Sequence, residues 1–411
     1  MRVAEHISVL QGVRRAALYD DSGLIVHALN SFQAHYLQTL ASGRSFSFSP
    51  DRFERSRQLR SMMAMRARGW IVPGSPKARS LEPPPRASEM TQDLLHVWLE
   101  ITNSCNLSCG HCYANSGPSA DRSAELKIDD WKLIIDAILR NGCRIITFIG
   151  GEPLVRADLL ERLIPYARKQ AADLKIRIFS NLTHPARIEA LIPTLTNNGV
   201  HFGTSLYGRD PQLHDRMTRS KGSLMRTLQS IAILKENHIP VFGGLYLDMT
   251  RSYDRLDLEE WLHEIGVDSV EILAPSRVGR ASEYSWKPSS DVSVRPRFKS
   301  YAYASIAQNR TQHNCFGNHL SIKPDGEVIP CIMQRDVTYG NVLHQGLSAV
   351  LANQNRRAMS ALTKDEIVGC KECEFRYGCF DCRPDAVGNS ADLRRKPDCG
   401  YDPQAEHPED D

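Results

Sequence analysis

Between Leu94 and Leu273 the chain alternates short apolar runs with amphipathic stretches, and this alternation restricts the fold more than any other feature. The apolar runs have the length of strands, and the stretches between them place apolar residues at helical spacing. Repeats of this kind predict a parallel sheet, because each crossover helix covers the sheet and returns the chain in the same direction. The predicted strands are 97–101, 144–149, 176–179, 200–205, 241–247 and 269–273, and the predicted helices are 131–139, 157–167, 186–195, 224–234 and 256–265.

The predicted fold class is therefore α/β, a partial (β/α)6 TIM-like barrel spanning residues 94–283 of the 411-residue chain. The preceding residues, 1–72, read as a small winged-helix-like domain. Its pattern gives a hairpin from runs 13–20 and 23–30, a helix capped by Ser31, a second helix near Ser49 and a returning strand at 69–72. Residues 73–93 form a proline-rich linker, and residues 284–411 form a cysteine-rich C-terminal domain whose first part, up to residue 314, is expected to be irregular.

The composition excludes several classes of protein. A net charge of +3 gives no argument for nucleic-acid binding. No apolar run approaches the ~18 residues of a membrane span, and the N-terminus lacks the apolar core of a signal peptide. We therefore expect a cytoplasmic protein, with an acidic and disordered end at residues 406–411. In a reducing compartment the 11 cysteines indicate metal or redox chemistry rather than disulfides, and all but Cys143 are clustered.

The first cluster of cysteines, Cys105, Cys109 and Cys112, directly follows the first predicted strand. Three thiols on one short loop can face a single point and suit a soft metal or an iron–sulfur cluster. A closed structural zinc site needs four ligands, so one metal position is left open here. The alternatives are buried thiols without a metal, or half of a zinc site completed elsewhere.

Other polar groups follow the later strands. Gly150-Gly151-Glu152-Pro153 comes directly after the second strand, where two glycines allow a ligand to approach the backbone and Glu152 offers a carboxylate. By itself this stretch could equally be a tight turn. Ser180-Asn181 and Ser205 end the next two strands, and Asp248 after the fifth is a candidate base. Since ligands of such barrels bind at the C-terminal ends of the strands, these residues predict one site.

The Cys-x3-Cys-x2-Cys loop followed by Gly-Gly-Glu-Pro resembles the radical S-adenosylmethionine superfamily over residues 94–283. The resemblance implies a [4Fe–4S] cluster held by Cys105, Cys109 and Cys112, with S-adenosylmethionine on its open iron. It further implies a bound cofactor whose reductive cleavage gives a carbon radical able to abstract an unactivated hydrogen. The implied cofactor-binding residues are Gly150, Gly151, Glu152, His111, Ser180, Asn181, Ser205 and Gly279.

The C-terminal cysteines resemble the SPASM extension of the same superfamily, which implies two auxiliary clusters, each expected to be [4Fe–4S]. The implied ligands are Cys370, Cys373, Cys379 and Cys399 for the outer cluster and Cys315, Cys331 and Cys382 for the inner one. The interval between Cys379 and Cys382 is one residue shorter than the common pattern, and no cysteine lies between Cys315 and Cys331. The inner cluster therefore has an open iron or a non-cysteine ligand. The close pairs among these C-terminal cysteines would also suit a zinc ribbon, which is the alternative. The isolated Cys143 is expected to be a residue of the apolar core.

Residues 1–72 resemble, by pattern alone, the precursor-peptide recognition element of ribosomal peptide maturases. This resemblance implies that the domain binds a leader peptide as an added strand. The function predicted from the three resemblances is oxidative cross-linking of a ribosomally made precursor peptide, through a thioether or a carbon–carbon bond, with flavodoxin or ferredoxin as electron donor. The alternatives are a formylglycine-forming sulfatase maturase, a tetrapyrrole-modifying relative, and a zinc-stabilised peptide-binding protein.

Overall fold

The structure is a computed structural model that describes residues 1–82, 94–246, 255–273, 275–283, 303–380, 382–384, 392–395, 399 and 401–405. The chain divides into two compact units. The terminal unit comprises Met1–Met90, Ser293–Asn314 and Ala361–Asp411, and the barrel unit comprises Thr91–Val292 and Cys315–Ser360. No helix within the described ranges combines the length and the apolar character that crossing a bilayer requires.

The terminal unit begins with two small antiparallel sheets and two helices. Strands β2, β3 and β4 pair in sequence order, and β1 pairs with β5. The predicted hairpin is confirmed as β3 and β4, whereas β2 was not predicted. The strands are β1 (Arg2–Val3), β2 (Ile7–Gln11), β3 (Ala16–Asp20), β4 (Ile25–Leu29) and β5 (Ile71–Val72), and the helices are α1 (Ser31–Ala41) and α2 (Arg52–Ala67).

Side-chain caps fix where the two helices begin. The side chain of Asn30 accepts from the backbone N–H of Gln33, whose own side chain accepts from the N–H of Asn30, which makes a capping box. The prediction that Ser31 caps this helix was therefore wrong by one residue, because the asparagine before it forms the reciprocal pair. Asp51 caps α2 by accepting from two backbone N–H groups, and the prediction of a second helix near Ser49 is confirmed.

The three-stranded sheet is covered on both faces. Leu18 points to one face and packs in a core with α1 and Trp70. Tyr19 points to the other face and shares a second core with Cys373, Phe375 and other residues of the C-terminal segment. Since neighbouring residues of a strand face opposite sides, the segment 373–377 and the N-terminal sheet are parts of one structure.

The β/α series of the barrel unit contains all six predicted strands and all five predicted helices, and a further helix, α6, lies between β9 and α7. The strands are β6 (His96–Glu100), β7 (Ile145–Ile149), β8 (Lys175–Phe179), β9 (Val200–Leu206), β10 (Val241–Tyr246) and β11 (Ser269–Leu273), and the helices are α3 (Ile128–Arg140), α4 (Ala157–Gln170), α5 (Pro185–Asn197), α6 (Pro211–Thr218), α7 (Ser223–Glu236) and α8 (Arg255–Glu264). The strands β6 to β11 are parallel and adjacent in sequence order.

The barrel is open rather than closed. The far side of β6 pairs with β12, in parallel and with His319 opposite His96, so β6 does not meet β11. An antiparallel hairpin, β12 to β14, extends the same sheet. The later elements are α9 (Tyr303–Thr311), β12 (His319–Ile322), β13 (Glu327–Ile329), β14 (Gly340–Asn341), α10 (Val342–Leu351) and α11 (Gln354–Ser360). The prediction of a partial barrel is confirmed.

Two other expectations from the sequence differ from the structure. The stretch 283–314 was expected to be irregular, but α9 lies within it; its polar sequence carries little helical periodicity and so gave no signal. Residues 315–360 group with the barrel, through the pairing of β12 with β6, rather than with the rest of the C-terminal segment. Asp248, the acidic end at 406–411 and linker residues 83–93 lie outside the described residues.

Candidate active site at the mouth of the barrel

The loop that carries Cys105, Cys109 and Cys112 leaves β6 and is held by backbone contacts. The N–H of Cys105 donates to the carbonyl of Gly117 at 3.1 Å, which closes the loop on itself. Arg280 holds the loop from another direction, since its Nε donates to the carbonyl of Cys109 at 2.8 Å and its backbone N–H to that of Cys112 at 3.0 Å. These contacts hold the loop in place at the end of β6.

The thiols of this loop are close enough to affect one another. Burial, and then the carboxylate of Glu152, raise the pKa of Cys105 to about 12, with further contributions from Cys109 and Cys112. Burial and the neighbouring Cys112 likewise raise the pKa of Cys109 to about 12, against an opposing effect of Arg280. Thiolates at Cys105 and Cys109 are unfavourable here without a cation, and an iron–sulfur cluster supplies that positive charge.

The glycines after β7 allow this loop to lie against the barrel. A Cβ on Gly150 would stand 2.3 Å from the carbonyl oxygen of Thr102, and one on Gly151 would stand 2.2 Å from that of Ser104. The backbone N–H of Gly151 donates a hydrogen bond to the carbonyl of Thr102 at 2.8 Å, and this bond holds the two segments close together. Only glycine fits these two positions.

Glu152 is a buried carboxylate at the centre of the predicted site. Its Oε1 accepts from the backbone N–H of Leu154 at 2.9 Å and from the hydroxyl of Ser180 at 2.7 Å, and its Oε2 accepts from the N–H of Asn181 at 2.8 Å. Burial raises its pKa to about 6, although these hydrogen bonds oppose the rise. Such a carboxylate can pair with an ammonium group of a ligand.

The structure brings most of the predicted cofactor-binding residues together. The side-chain amide of Asn181 lies 3.8 Å from the sulfur of Cys105. His111 Nε2 is 2.8 Å from the hydroxyl of Tyr207, and Ser205, near the end of β9, is a hydrogen-bond partner of that same hydroxyl. Gly279 has a φ of +58° and a Cβ there would stand 2.4 Å from the carbonyl of Cys112, so its turn contacts the cysteine loop.

Two side chains that the sequence analysis did not single out support the loop. Arg280 follows the predicted Gly279 and holds two carbonyl groups of the loop in addition to that of Cys112. Asn106 accepts from Asn181 Nδ2 at 3.0 Å and so fixes the amide next to Cys105. The arginine directly follows Gly279, but its contacts with the loop join residues far apart in the chain and gave no signal in the sequence.

An ion pair between the buried Glu100 and the half-buried Arg335 lies where the cysteine loop, β12 and the Cys331 segment meet. Glu100, at the end of β6, accepts through Oε1 from the hydroxyl of Ser321 at 2.9 Å and from Arg335 Nη1 at 2.9 Å. The guanidinium of Arg335 stands 5.9 Å from the centre of the Tyr113 ring. Residues from three segments of the barrel unit are thereby joined around one charge pair.

Two of the predicted inner-cluster cysteines belong to the barrel unit. The sulfur of Cys315 lies 3.4 Å from Nδ1 of His319. Cys331 is buried, and burial followed by the neighbouring Cys315 raises its pKa to about 12. Burial also lowers the pKa of His319 to about 4. The third predicted ligand, Cys382, belongs to the terminal unit, and its place in the inner site stays a prediction.

The predicted outer-cluster thiols lie near one another in the terminal unit. Burial raises the pKa of Cys379 to about 12, with contributions first from Cys399 and then from Cys370, while Arg383 opposes them. Cys373, whose pKa is raised chiefly by burial, is influenced by Cys379 and Cys370 as well. These four cysteines therefore suit a shared cluster by proximity and by chemistry.

Within the described ranges, no group of three or more His, Cys, Asp or Glu residues is arranged to hold a single metal ion. An iron–sulfur cluster spreads its ligands over several iron atoms, and the neighbouring thiols of each set fit that requirement. Cys143 is buried and its thiol contacts the carbonyl of Ile145 at 3.2 Å, as expected of a core residue.

Comparisons with known proteins match the two regions of the chain that contain these cysteines. The family description "Radical SAM superfamily" matches residues 99–264, and the SPASM "Iron-sulfur cluster-binding domain" matches residues 315–374. The antilisterial bacteriocin subtilosin biosynthesis protein AlbA of Bacillus subtilis (strain 168) is 24% identical over 325 residues, covering 75% of this chain and 71% of AlbA. The AdoMet-dependent heme synthase of Methanosarcina barkeri (strain Fusaro / DSM 804) is 23% identical over 347 residues, covering 75% of this chain and 97% of that protein.

Solved structures show the same fold. The crystal structure of Streptococcus suis SuiB matches with a TM-score of 0.57 and 13% identity, covering 98% of this chain and 100% of that chain. At this identity the likeness concerns the fold alone.

Proposed function

We propose that this protein, a radical S-adenosylmethionine enzyme with a SPASM domain, modifies a ribosomally made precursor peptide by hydrogen abstraction and oxidative formation of a thioether or carbon–carbon cross-link. The observation that carries the radical chemistry is the buried Glu152, held beside three neighbouring thiols by Ser180 and Asn181. The likeness to AlbA, whose name records bacteriocin biosynthesis, supports a peptide as the substrate.

Each residue of the barrel mouth then has a role. Cys105, Cys109 and Cys112 hold the cluster. The carboxylate of Glu152 pairs with the ammonium group of S-adenosylmethionine and accepts its hydrogen bonds. When bound, this cofactor supplies the carbon radical that no side chain can provide. Arg280 fixes the loop through its carbonyl groups. His111, whose Nε2 is 2.8 Å from the hydroxyl of Tyr207, would contact the adenine of the bound cofactor.

The same proposal assigns leader recognition to the edge strand β4. The other edge of the sheet, β2, is already covered, since the N–H of Val9 donates to the carbonyl of Leu81 at 2.7 Å and Arg79 donates to that of Ile7 at 2.5 Å. Both faces are packed against core residues. An extended peptide that adds to this sheet is therefore expected at β4, where Ile25 is 50% exposed.

A pair of matched variants tests leader binding. Ile25 in β4 and Val13 in the turn between β2 and β3 are both aliphatic and similarly exposed, at 50% and 53%. We expect Ile25→Asp to weaken binding of the cognate precursor peptide at least ~10-fold, about 1.4 kcal/mol, and Val13→Asp to change it less than ~2-fold. Fluorescence anisotropy with the labelled full-length precursor measures both. Equal effects of the two variants would rule out β4 as the binding strand.

Iron analysis tests the radical chemistry separately from the peptide. We expect about three clusters per chain, and a Cys105→Ala/Cys109→Ala/Cys112→Ala variant with about one fewer and without cleavage of S-adenosylmethionine. Zinc in place of iron would contradict this proposal and favour a zinc-stabilised binding protein. The variant retains β4, so its leader affinity should equal that of the parent.

Two further assignments belong to the proposal. The electron needed for cofactor cleavage comes from a flavodoxin or a ferredoxin, and the enzyme works in the cytoplasm.

The likeness to a heme synthase over 97% of that protein favours a tetrapyrrole as the second candidate substrate. Turnover of a tetrapyrrole without binding of the precursor peptide would establish that candidate instead.

A further inference from the structure

We propose that His319 is a protein ligand of the inner auxiliary cluster, on the same cluster as Cys315 and Cys331. The inference depends on the iron–sulfur chemistry of this segment and not on the identity of the substrate. The sequence offers three thiols for this cluster, Cys315, Cys331 and Cys382, where four ligands are usual. Imidazole is the commonest nitrogen ligand of iron in proteins and replaces cysteine in some iron–sulfur centres.

The first observation is local. Cys315 and His319 are joined by a turn in which the N–H of His319 donates to the carbonyl of Cys315 at 3.0 Å. The turn places Nδ1 of His319 at 3.4 Å from the sulfur of Cys315. The imidazole thus reaches the space that the Cys315 thiol occupies, with a nitrogen directed toward it.

The second observation concerns Cys331. The antiparallel pairing of β12 with β13 includes Ser321 opposite Ile329, so Cys331 follows the last paired residue of β13 by two positions. Cys315 is close enough to Cys331 to contribute to the raised pKa of that buried thiol. Cys315 is therefore a neighbour of both His319 and Cys331, and all three belong to the barrel unit.

A neighbouring histidine gives a contrast within the same structure. The rings of His96 and His319 stand 5.0 Å apart, edge to face. His96 is 2.8 Å from the hydroxyl of Thr147, a partner in the barrel that accounts for its Nε2. His96 is therefore expected to be structural, and it serves as the control for substitutions of a histidine at this position.

Pulsed EPR with histidine labelled by ¹⁵N in the imidazole ring tests the assignment on the full chain. The Cys105→Ala/Cys109→Ala/Cys112→Ala background removes the signal of the first cluster. In the reduced protein we expect a nitrogen hyperfine coupling of the strength found for imidazole bound directly to iron. The coupling should disappear in His319→Ala and His319→Cys and persist in His96→Phe.

The reduction potential gives a second readout. His319→Cys should keep the full iron content and lower the potential of the inner cluster, because thiolate donates more electron density to iron than imidazole does. If the nitrogen coupling is absent, weak enough for a hydrogen bond alone, or unchanged in His319→Cys, then His319 is not a ligand. The measurement on the unsubstituted histidine decides the matter even if His319→Ala fails to fold.

Discussion

At the scale of single residues, the buried charges decide what the barrel mouth can bind. Both carboxylate oxygens of Glu152 accept hydrogen bonds, from Leu154, Ser180 and Asn181, so its position is fixed before a ligand arrives. A carboxylate fixed in this way costs little reorganisation when a cation binds. The pair of Glu100 and Arg335 fixes the neighbouring segment by the same means.

The raised pKa of Glu152 predicts how cofactor binding depends on pH. Burial raises this pKa from its ordinary value to about 6, so the carboxylate becomes protonated as the pH falls through about 6. The neutral acid cannot pair with an ammonium group, and the affinity for S-adenosylmethionine should fall below that pH. Equilibrium dialysis from pH 8 to pH 5 measures this dependence. The Glu152→Gln variant should bind S-adenosylmethionine weakly at every pH from 8 to 5. If this variant instead shows the same pH dependence as the parent, the Glu152 carboxylate is not the group whose protonation weakens binding.

Breaking the pair of Glu100 and Arg335 should be costly. Arg335→Met leaves a carboxylate buried without its cation, which typically destabilises a protein by about 3–5 kcal/mol. Arg209→Met removes an ion pair with Asp257 whose side chains are 55% and 46% exposed, and should cost less than about 1 kcal/mol. Chemical unfolding of both variants measures the difference. Equal losses would mean that the buried pair has no special role in stability.

Single residues could be predicted from the sequence where a motif fixes both their type and their spacing. The three cysteines, Glu152 and its partners at 180 and 181 follow strands, and parallel strands bring their ends together. Arg280 and His319 could not be identified as site residues from the sequence, because their roles depend on contacts with segments far away in the chain. The cap of α1 was predicted one residue too late, because Asn30 rather than Ser31 forms the reciprocal pair with Gln33.

At the scale of elements, the turn after β7 is the part least tolerant of change. A methyl group at Gly151 would overlap the carbonyl of Ser104, which is backbone and has no freedom to move aside. A methyl group added at Gly117, on the cysteine loop itself, would have only the hydroxyl of Ser108 within 4 Å, at 3.7 Å. The two glycines therefore differ in packing although both contact the same loop.

This contrast gives a test of the turn. Gly151→Ala should displace the cysteine loop and lower the iron content by about one cluster, with loss of S-adenosylmethionine cleavage. Gly117→Ala should leave both unchanged, because its methyl group has ordinary van der Waals space. Iron and acid-labile sulfide assays on the two purified variants provide the comparison. Full iron content in Gly151→Ala would show that the turn can relax after all.

Elements with strong periodicity could be read from the sequence, whereas short or polar ones could not. The six barrel strands were predicted because apolar runs alternate with helices of clear amphipathic spacing. Helix α9 and strand β2 escaped prediction. The first is polar along its length, and the second lies beside a stretch whose arginines interrupt the alternation. Their positions are set by packing within the terminal unit, as shown by Ile306 and Leu10 in one shared core.

At the scale of the whole molecule, the division into units does not follow the order of domains in the sequence. The N-terminal sheet and the segment that carries Cys373 share a core, and the hydroxyl of Tyr19 donates to the carbonyl of Glu374 at 2.9 Å. The backbone N–H of Val13 donates to Glu372 as well, at 3.0 Å. Removal of the first 72 residues would therefore uncover the apolar side of the segment that carries the predicted outer-cluster ligands.

A truncated chain tests this shared structure. A chain that begins at residue 73 should lose iron equivalent to about one cluster, or become insoluble, because the core around Cys373 and Phe375 loses its cover. Full-length Ile25→Asp should retain all of its iron, since that side chain lies outside this core. Iron analysis of both proteins distinguishes the two effects. Unchanged iron in a soluble truncated chain would show that the two segments are independent.

The pairing of β12 with β6 has a consequence for how the protein matures. His319 and its neighbours meet a strand made more than two hundred residues earlier, whereas β6 to β11 each pair with strands close by in the chain. During synthesis the six local strands can assemble first, and β12 can dock only after the ribosome has passed residue 322. The nascent barrel thus has an uncovered edge at β6 beside its first cysteine loop for most of translation. The loop that carries Cys105, Cys109 and Cys112 is therefore complete well before the segment that carries Cys315 and Cys331 is synthesised.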